Sequence, residues 1–216
     1  MTTPLPDGIW ISNENPERRE GAAALFLDRD GVIVREVDYL FRPEDVVLER
    51  GAAKLIGWAH AQGLAVAAVT NQAGIARGRF GWPDFEAVEA EIARQLRAAG
   101  VALDLIVACA YHPDHTDGYD DAHARWRKPG PAMIDLAAEK LGIDRSRSFM
   151  IGDKASDVEA ARNAGLAGAI HVLTGHGREE REAAMTLARP GFEVIAAADP
   201  EEALALLSAR RFGAAR

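Results

Sequence analysis

Two carboxylates, Asp28 and Asp30, stand in the run Asp28-Arg29-Asp30-Gly31, where the apolar stretch Ala22 to Leu27 ends and Val32-Ile33-Val34 begins. One such carboxylate can attack phosphorus to form an aspartyl-phosphate, while the other donates a proton to the leaving oxygen and later takes one from water. The tetrapeptide alone could equally be turn punctuation. Further polar clusters shift the balance toward chemistry: Thr70-Asn71-Gln72-Ala73-Gly74, Arg127-Lys128-Pro129-Gly130 and Gly152-Asp153-Lys154. Asp28, Asp30 and Asp153 beside Lys128 and Lys154 make an oxygen-rich site for a hard divalent cation next to an anion site, and Mg2+ suits phosphate chemistry. Thr70 and the amides after it suit hydrogen bonding to phosphoryl oxygens, and Lys128 would neutralise charge that builds there. Taken singly, Thr70 could be a β-branched strand end, Asn71 and Asp153 turn residues, and Lys128 a solvated charge.

The elements that must position these residues alternate along the chain. Near-continuous apolar runs predict strands at Ala23 to Leu27, Leu64 to Val69, Leu105 to Cys109, Ser148 to Ile151 and Ala169 to Leu173, with a shorter one at Phe192 to Ile195. Runs of that kind belong to parallel strands covered on both faces. Between them, helices are expected over Ala52 to Gln62, Pro83 to Ala99 and Pro131 to Gly142. A fourth is expected to open at Ser156-Asp157-Val158-Glu159, which has capping-box spacing, and a last one at Asp199-Pro200. Gly175 to Gly191 reads as a solvated connection or surface helix. The pattern predicts an α/β fold, a three-layer Rossmann-like parallel sheet with helices on both faces. Such a sheet gathers the carboxyl ends of its strands along one edge, and the polar clusters fall at those ends.

Composition narrows the partners. The chain has 216 residues, 33 acidic against 25 basic and a formal charge of -8, which argues against a surface that tracks nucleic-acid phosphates or anionic lipid. Its single cysteine, Cys109, cannot close an intramolecular disulfide and reads as a small buried hydrophobe. The first 20 residues lack the basic start and apolar run of a signal peptide, and no apolar stretch is long enough to span a bilayer, so a cytoplasmic protein is expected. The lead-in, residues 1–20, is expected to fold onto the single domain of residues 21–216 through Ile9, Trp10 and Ile11.

The fuller wording of the motifs is Asp-Arg-Asp-Gly-Val from Asp28, Thr-Asn-Gln-Ala-Gly-Ile-Ala-Arg-Gly from Thr70, Arg-Lys-Pro-Gly-Pro from Arg127 and Ile-Gly-Asp-Lys-Ala-Ser-Asp from Ile151. Over residues 22–208 the chain resembles the haloacid dehalogenase-type phosphohydrolases, and within them the branch of D-glycero-D-manno-heptose 1,7-bisphosphate 7-phosphatases and histidinol-phosphate phosphatases. The resemblance implies that Asp28 is the nucleophile and Asp30 the general acid/base. It makes Asp28, the Asp30 carbonyl and Asp153 the Mg2+ ligands, and gives Thr70 and Lys128 to the phosphoryl group. By the same resemblance Asn71 and Gln72 line the substrate site, Arg127 and Lys154 contact a small sugar phosphate, and Tyr39 is the matching residue of a substrate-touching segment at Glu36 to Tyr39. Residues 31–69 must supply a helix and a strand, so no large cap domain fits there. A monomer is expected. A histidinol-phosphate phosphatase, a nucleic-acid 3'-phosphatase or a non-catalytic phosphate-binding module are the alternative readings.

Many members of that branch carry a zinc bound by a Cys-x-His pair and a later Cys-x-Cys pair. Here the matching positions read Cys109-Ala110-Tyr111 and Ala124-Arg125-Trp126, which leaves one ligand of four. No structural zinc is therefore expected, because one ligand cannot close a tetrahedral site.

Overall fold

Residues 5–209 are described by the computed structural model; residues 1–4 of the lead-in and 210–216 at the end of the domain lie outside the described residues. Seven strands form one sheet: β1 (Ile9–Ile11), β2 (Ala24–Leu27), β3 (Ala65–Asn71), β4 (Leu105–Cys109), β5 (Phe149–Gly152), β6 (Gly168–His171) and β7 (Glu193–Ala196). They lie in the order β1-β4-β3-β2-β5-β6-β7. All pairings are parallel except that of β1, which runs antiparallel to β4 with Ile9 opposite Cys109. The lead-in thus supplies an edge strand.

The helices are α1 (Ala52–Ala61), α2 (Ala73–Ala76), α3 (Trp82–Ala98), α4 (Asp121–Trp126), α5 (Ala132–Leu141), α6 (Ala155–Asn163), α7 (Gly177–Met185) and α8 (Pro200–Ser208). Alternation along β2 explains the layering. Leu25 and Leu27 enter one core with Leu55, Ile56, Ile92 and Leu207 from α1, α3 and α8. Ala24 and Phe26 enter the other with Met133, Ile134, Val158 and Ala184 from α5, α6 and α7. All four β2 side chains are buried, which is why the strand reads as one apolar run rather than as an alternating pattern.

The start of α6 differs from the sequence reading in an informative way. Ser156 does not cap α6: the helix begins at Ala155, and the Asp157 carboxylate takes the Lys154 N–H at 3.0 Å. The capping acceptor is the acid three residues on, because Asp157 is fully buried at the sheet edge and its backbone is already helical. The stretch after Gly175 forms α7, whose Ala184 packs against the second core.

The chain proceeds from β2 outward to β3 and β4, then crosses to β5 on the other side of β2. Strand order therefore reverses beside β2, and the carboxyl ends of β2 and β5 flank the crevice where open α/β sheets bind ligands. Asp28 follows one strand and Asp153 the other.

Candidate active site

Asp28 leaves β2 with its backbone still in the sheet, its N–H bonded to the Ile151 carbonyl at 2.9 Å. The chain then turns sharply: Gly31 adopts φ 84° and donates to the Val34 carbonyl at 2.7 Å. A side chain at Gly31 would be strained there, and its Cβ would stand 2.8 Å from Asp153 Oδ2. Glycine lets the turn pass directly beneath Asp153.

Lys128 sits at the centre of the charges. Its Nζ is 2.8 Å from Asp28 Oδ1, 2.7 Å from Asp157 Oδ1 and donates to the Val69 carbonyl at 2.8 Å. The ammonium is almost wholly buried, yet Asp157 and Asp28 outweigh that burial and raise its pKa, so it stays charged. Asp28 also accepts its own neighbour's N–H from Arg29 on Oδ1 at 2.8 Å, so both contacts fall on one oxygen and Oδ2 is not committed to them. Burial raises the Asp28 carboxyl against the pull of Lys128, with Asp157 adding to the rise.

Asp153 is fully buried. Its Oδ2 accepts the His176 N–H at 2.7 Å, whereas Oδ1 has no hydrogen-bond partner. Burial, then the charges of Asp28 and Asp157, push its carboxyl up to about 8. Oxygens of Asp28, Asp153 and Asp157 lie within 4.8 Å of one another. Three crowded carboxylates with an unpartnered buried oxygen fit a hard divalent cation, which would relieve both the repulsion and the lost hydrogen bond.

These groups open into a cleft of about 530 Å3, lined by Asp28, Asp30, Tyr39, Thr70, Asn71, Gln72, Arg127, Lys128 and Lys154 among others. Every sequence-predicted site residue is on that wall except Asp153, which lies buried behind it. Asn71 uses both amide atoms on the Lys128 backbone, accepting its N–H and donating to its carbonyl at 3.0 Å each. Its visible task is to seat the lysine loop against β3. Gln72 donates to Thr70 Oγ1 at 2.9 Å and to Asp30 Oδ2 at 3.0 Å. Tyr39 takes the left-handed conformation at φ 58°, and its hydroxyl accepts from Arg77 at 2.8 Å. A non-glycine residue held there marks a position the surroundings over-determine.

Other lining residues carried no assignment from sequence. Arg77 donates to Tyr39 and stands 3.1 Å from His112 Nε2, and with Arg127 it adds positive charge to the cleft lining. Arg77 lies inside the Thr70 motif, so the signal was present. Asp157 also stood within a quoted motif without a role. Glu36 lines the opening near His176, and burial followed by the Asp30 charge raises its carboxyl to about 7.

The loop that follows β4 is held by rings. Tyr111 meets His123 edge-on with centroids 4.5 Å apart, Tyr119 stacks on His123 at 5.8 Å, and Arg127 donates to the Tyr111 carbonyl at 3.1 Å. Gly8, just before β1, donates to the Tyr111 hydroxyl at 3.3 Å. Cys109 is buried beneath, its thiol pushed up to about 11 chiefly by burial.

Comparison with known proteins places the chain in a family. A family model described as HAD-hydrolase-like matches residues 125–197. A D-glycero-beta-D-manno-heptose-1,7-bisphosphate 7-phosphatase from Mesorhizobium japonicum is 38% identical, covering 96% of this chain and 93% of its own length. The D-glycero-alpha-D-manno-heptose-1,7-bisphosphate 7-phosphatase of Burkholderia mallei is 40% identical over 66% of this chain and 76% of that protein. Among solved structures, a protein described as a HAD-like phosphatase from Mesorhizobium loti superposes with TM-score 0.80 at 36% identity, covering 94% of this chain and 93% of the other. The D,D-heptose 1,7-bisphosphate phosphatase of B. bronchiseptica, solved with magnesium and phosphate, gives TM-score 0.75 at 28% identity over 87% of this chain and 98% of the other. The chain belongs to the HAD-like hydrolases. Within that family it is a phosphoric monoester hydrolase, similar throughout to the heptose-bisphosphate phosphatases.

Proposed function

We propose that this phosphatase removes the 7-phosphate of D-glycero-D-manno-heptose 1,7-bisphosphate with Mg2+ and an aspartyl-phosphate intermediate. The observation that carries the reading is the Lys128 ammonium held between Asp28 and Asp157, beside the unpartnered oxygen of Asp153. Asp28, Asp153 and the Asp30 carbonyl would hold the cation, with Asp157 beside them. Bound there, Mg2+ would screen phosphate charge from the carboxylates.

In the first half-reaction an Asp28 oxygen bonds to phosphorus and the phosphorus–oxygen bond to the sugar breaks. The Asp30 proton passes to the leaving oxygen. In the second half, water bonds to phosphorus, the Asp28 linkage breaks and the water proton passes to Asp30. Lys128 and the Thr70 hydroxyl oppose charge on the transferring group, being preorganised by Asp157 and Gln72. Arg77, Arg127 and Lys154, three further cations on the cleft lining, suit a substrate with a second phosphate. The cleft volume, about 530 Å3, is in the range of small-molecule sites.

The test is phosphate release from both anomers of the bisphosphate and from histidinol phosphate, with Mg2+ or chelator, for the native chain and Asp28→Asn. Mg2+-dependent release from the bisphosphate, lost in the variant, is the expected result. Preference for histidinol phosphate would reassign the substrate.

A further inference from the structure

Arg29 lies between the two catalytic acids in sequence, and at 2% exposure it is among the largest fully buried side chains. Burying a guanidinium without partners is costly, so the arrangement of its donors is informative. Nε and Nη2 face both Asp30 oxygens at 2.9 to 3.1 Å. Nη1 donates to Glu89 Oε1 at 3.0 Å, and Nη2 also reaches Gln72 Oε1 at 3.2 Å. The Phe85 ring stacks beneath the guanidinium carbon at 5.2 Å. Glu89 is itself buried, one turn beyond Phe85 on the inward face of α3. A carboxylate on the apolar stripe of a helix has no packing reason to be there, and among the described residues its polar partner is Arg29.

We propose that Glu89 and Arg29 are positioning residues for Asp30. Glu89 pins one edge of the planar guanidinium, Phe85 fixes its plane, and the opposite edge then presents a rigid fork that sets where the Asp30 carboxylate points. Gln72 ties the same carboxylate to Thr70, so the proton donor and a phosphoryl-binding hydroxyl move as one unit. A general acid must meet the leaving oxygen within hydrogen-bond reach, and a misplacement of about 1 Å can cost about 100-fold. α3 therefore contributes to catalysis without touching substrate. This inference rests on the reading of Asp30 as general acid/base.

Leaving groups separate positioning from mere support of the fold. A sugar or alkyl oxygen needs the Asp30 proton to depart, whereas p-nitrophenolate does not. First-turnover rates are measured for Glu89→Gln and Arg29→Lys with p-nitrophenyl phosphate and with whichever of heptose 1,7-bisphosphate and histidinol phosphate the native chain turns over faster. Asp30→Asn serves as the reference, and thermal melting confirms that each variant folds. The expected result is a fall of about tenfold or more in the ratio of alkyl to aryl first-turnover rates for both variants, in the same direction as Asp30→Asn. Equal slowing on the two substrates, or no slowing, overturns the inference. If Asp30→Asn itself shows no such selectivity, the assignment of Asp30 fails first. Should Glu89→Gln not fold, Glu89→Asp keeps the charge but shortens the reach, and is judged by the same ratio.

Discussion

Lys128 and Asp28, a hundred residues apart in sequence, meet at the floor of the cleft in a nearly buried ion pair of 2.8 Å. The pair is costly to bury and costly to break. Lys128→Met leaves Asp28 and Asp157 facing each other without the ammonium between them. Its expected effects are a loss of about 100-fold or more in kcat and, without Mg2+, a destabilisation of about 3 kcal/mol. Steady-state kinetics and urea midpoints check the two separately.

In the metal-free protein the contribution of Asp153 to stability has a pH dependence opposite to that of an ordinary paired carboxylate. Its carboxyl, at about 8 when folded, lies above its unfolded value, so the folded chain binds the extra proton between roughly pH 4 and pH 8. The Asp153 contribution to stability falls as pH rises through that window. Melting temperatures in chelator are expected to decline from pH 5 to pH 8, with Mg2+ restoring more at the upper end. Asp153→Asn should flatten the slope and weaken the Mg2+ response; an unchanged slope in the variant would remove Asp153 as its source.

Asp104 works in the opposite sense. Despite burial, the hydrogen bonds from His60, the Val66 N–H and Arg19 hold its carboxyl below the usual range. That stability is present at neutral pH and lost as pH falls through the lowered value. Asp104→Ala, which also strands the Val66 N–H, should cost about 1 to 3 kcal/mol at pH 7 and less in acid. Denaturant titrations at the two pH values read the difference.

Trp10 joins the lead-in to the helix that carries Glu89. Its indole N–H donates to Glu86 at 2.9 Å and its ring meets Phe85 edge-on at 5.2 Å. Trp10→Ala is expected to cost about 2 kcal/mol, below the figure for a fully buried Trp because this one is half-buried. A melting temperature equal to that of the native chain would show that the ring contributes nothing.

The strands that bear the site were legible because each is an apolar run buried on both faces; β2, β3 and β5 lead straight into polar residues and β4 into a polar loop that ends at Lys128, and Leu105 to Cys109 even has its observed bounds. β1 was only hinted at by Ile9, Trp10 and Ile11, since three residues at an antiparallel edge carry too little pattern to announce a strand. Asp28, Asp30, Thr70, Lys128 and Asp153 stood out because acids, a hydroxyl and an ammonium recur in order after buried strands, and the structure brings them to one cleft with Asp153 buried behind it. Glu89 was passed over within the helix expected over Pro83 to Ala99, although it lies among the apolar positions Phe85, Val88, Ile92 and Leu96. It falls on their face, and a charge inside an apolar stripe was the available signal. Arg29 was hidden differently: a charged residue beside two acids reads as solvated, and only the fold reveals that it points inward.

The lone thiol of Cys109 lies opposite Ile9 in the β1–β4 pairing and under the ring cluster of Tyr111, Tyr119 and His123. Its side chain also faces the core shared with α5, so an alkylating reagent reaches it only when the packing around it opens. The chain thus carries its own clock: the rate at which Cys109 is labelled counts the excursions that open this corner of the core, and ligands that quiet the neighbouring loop should slow the count.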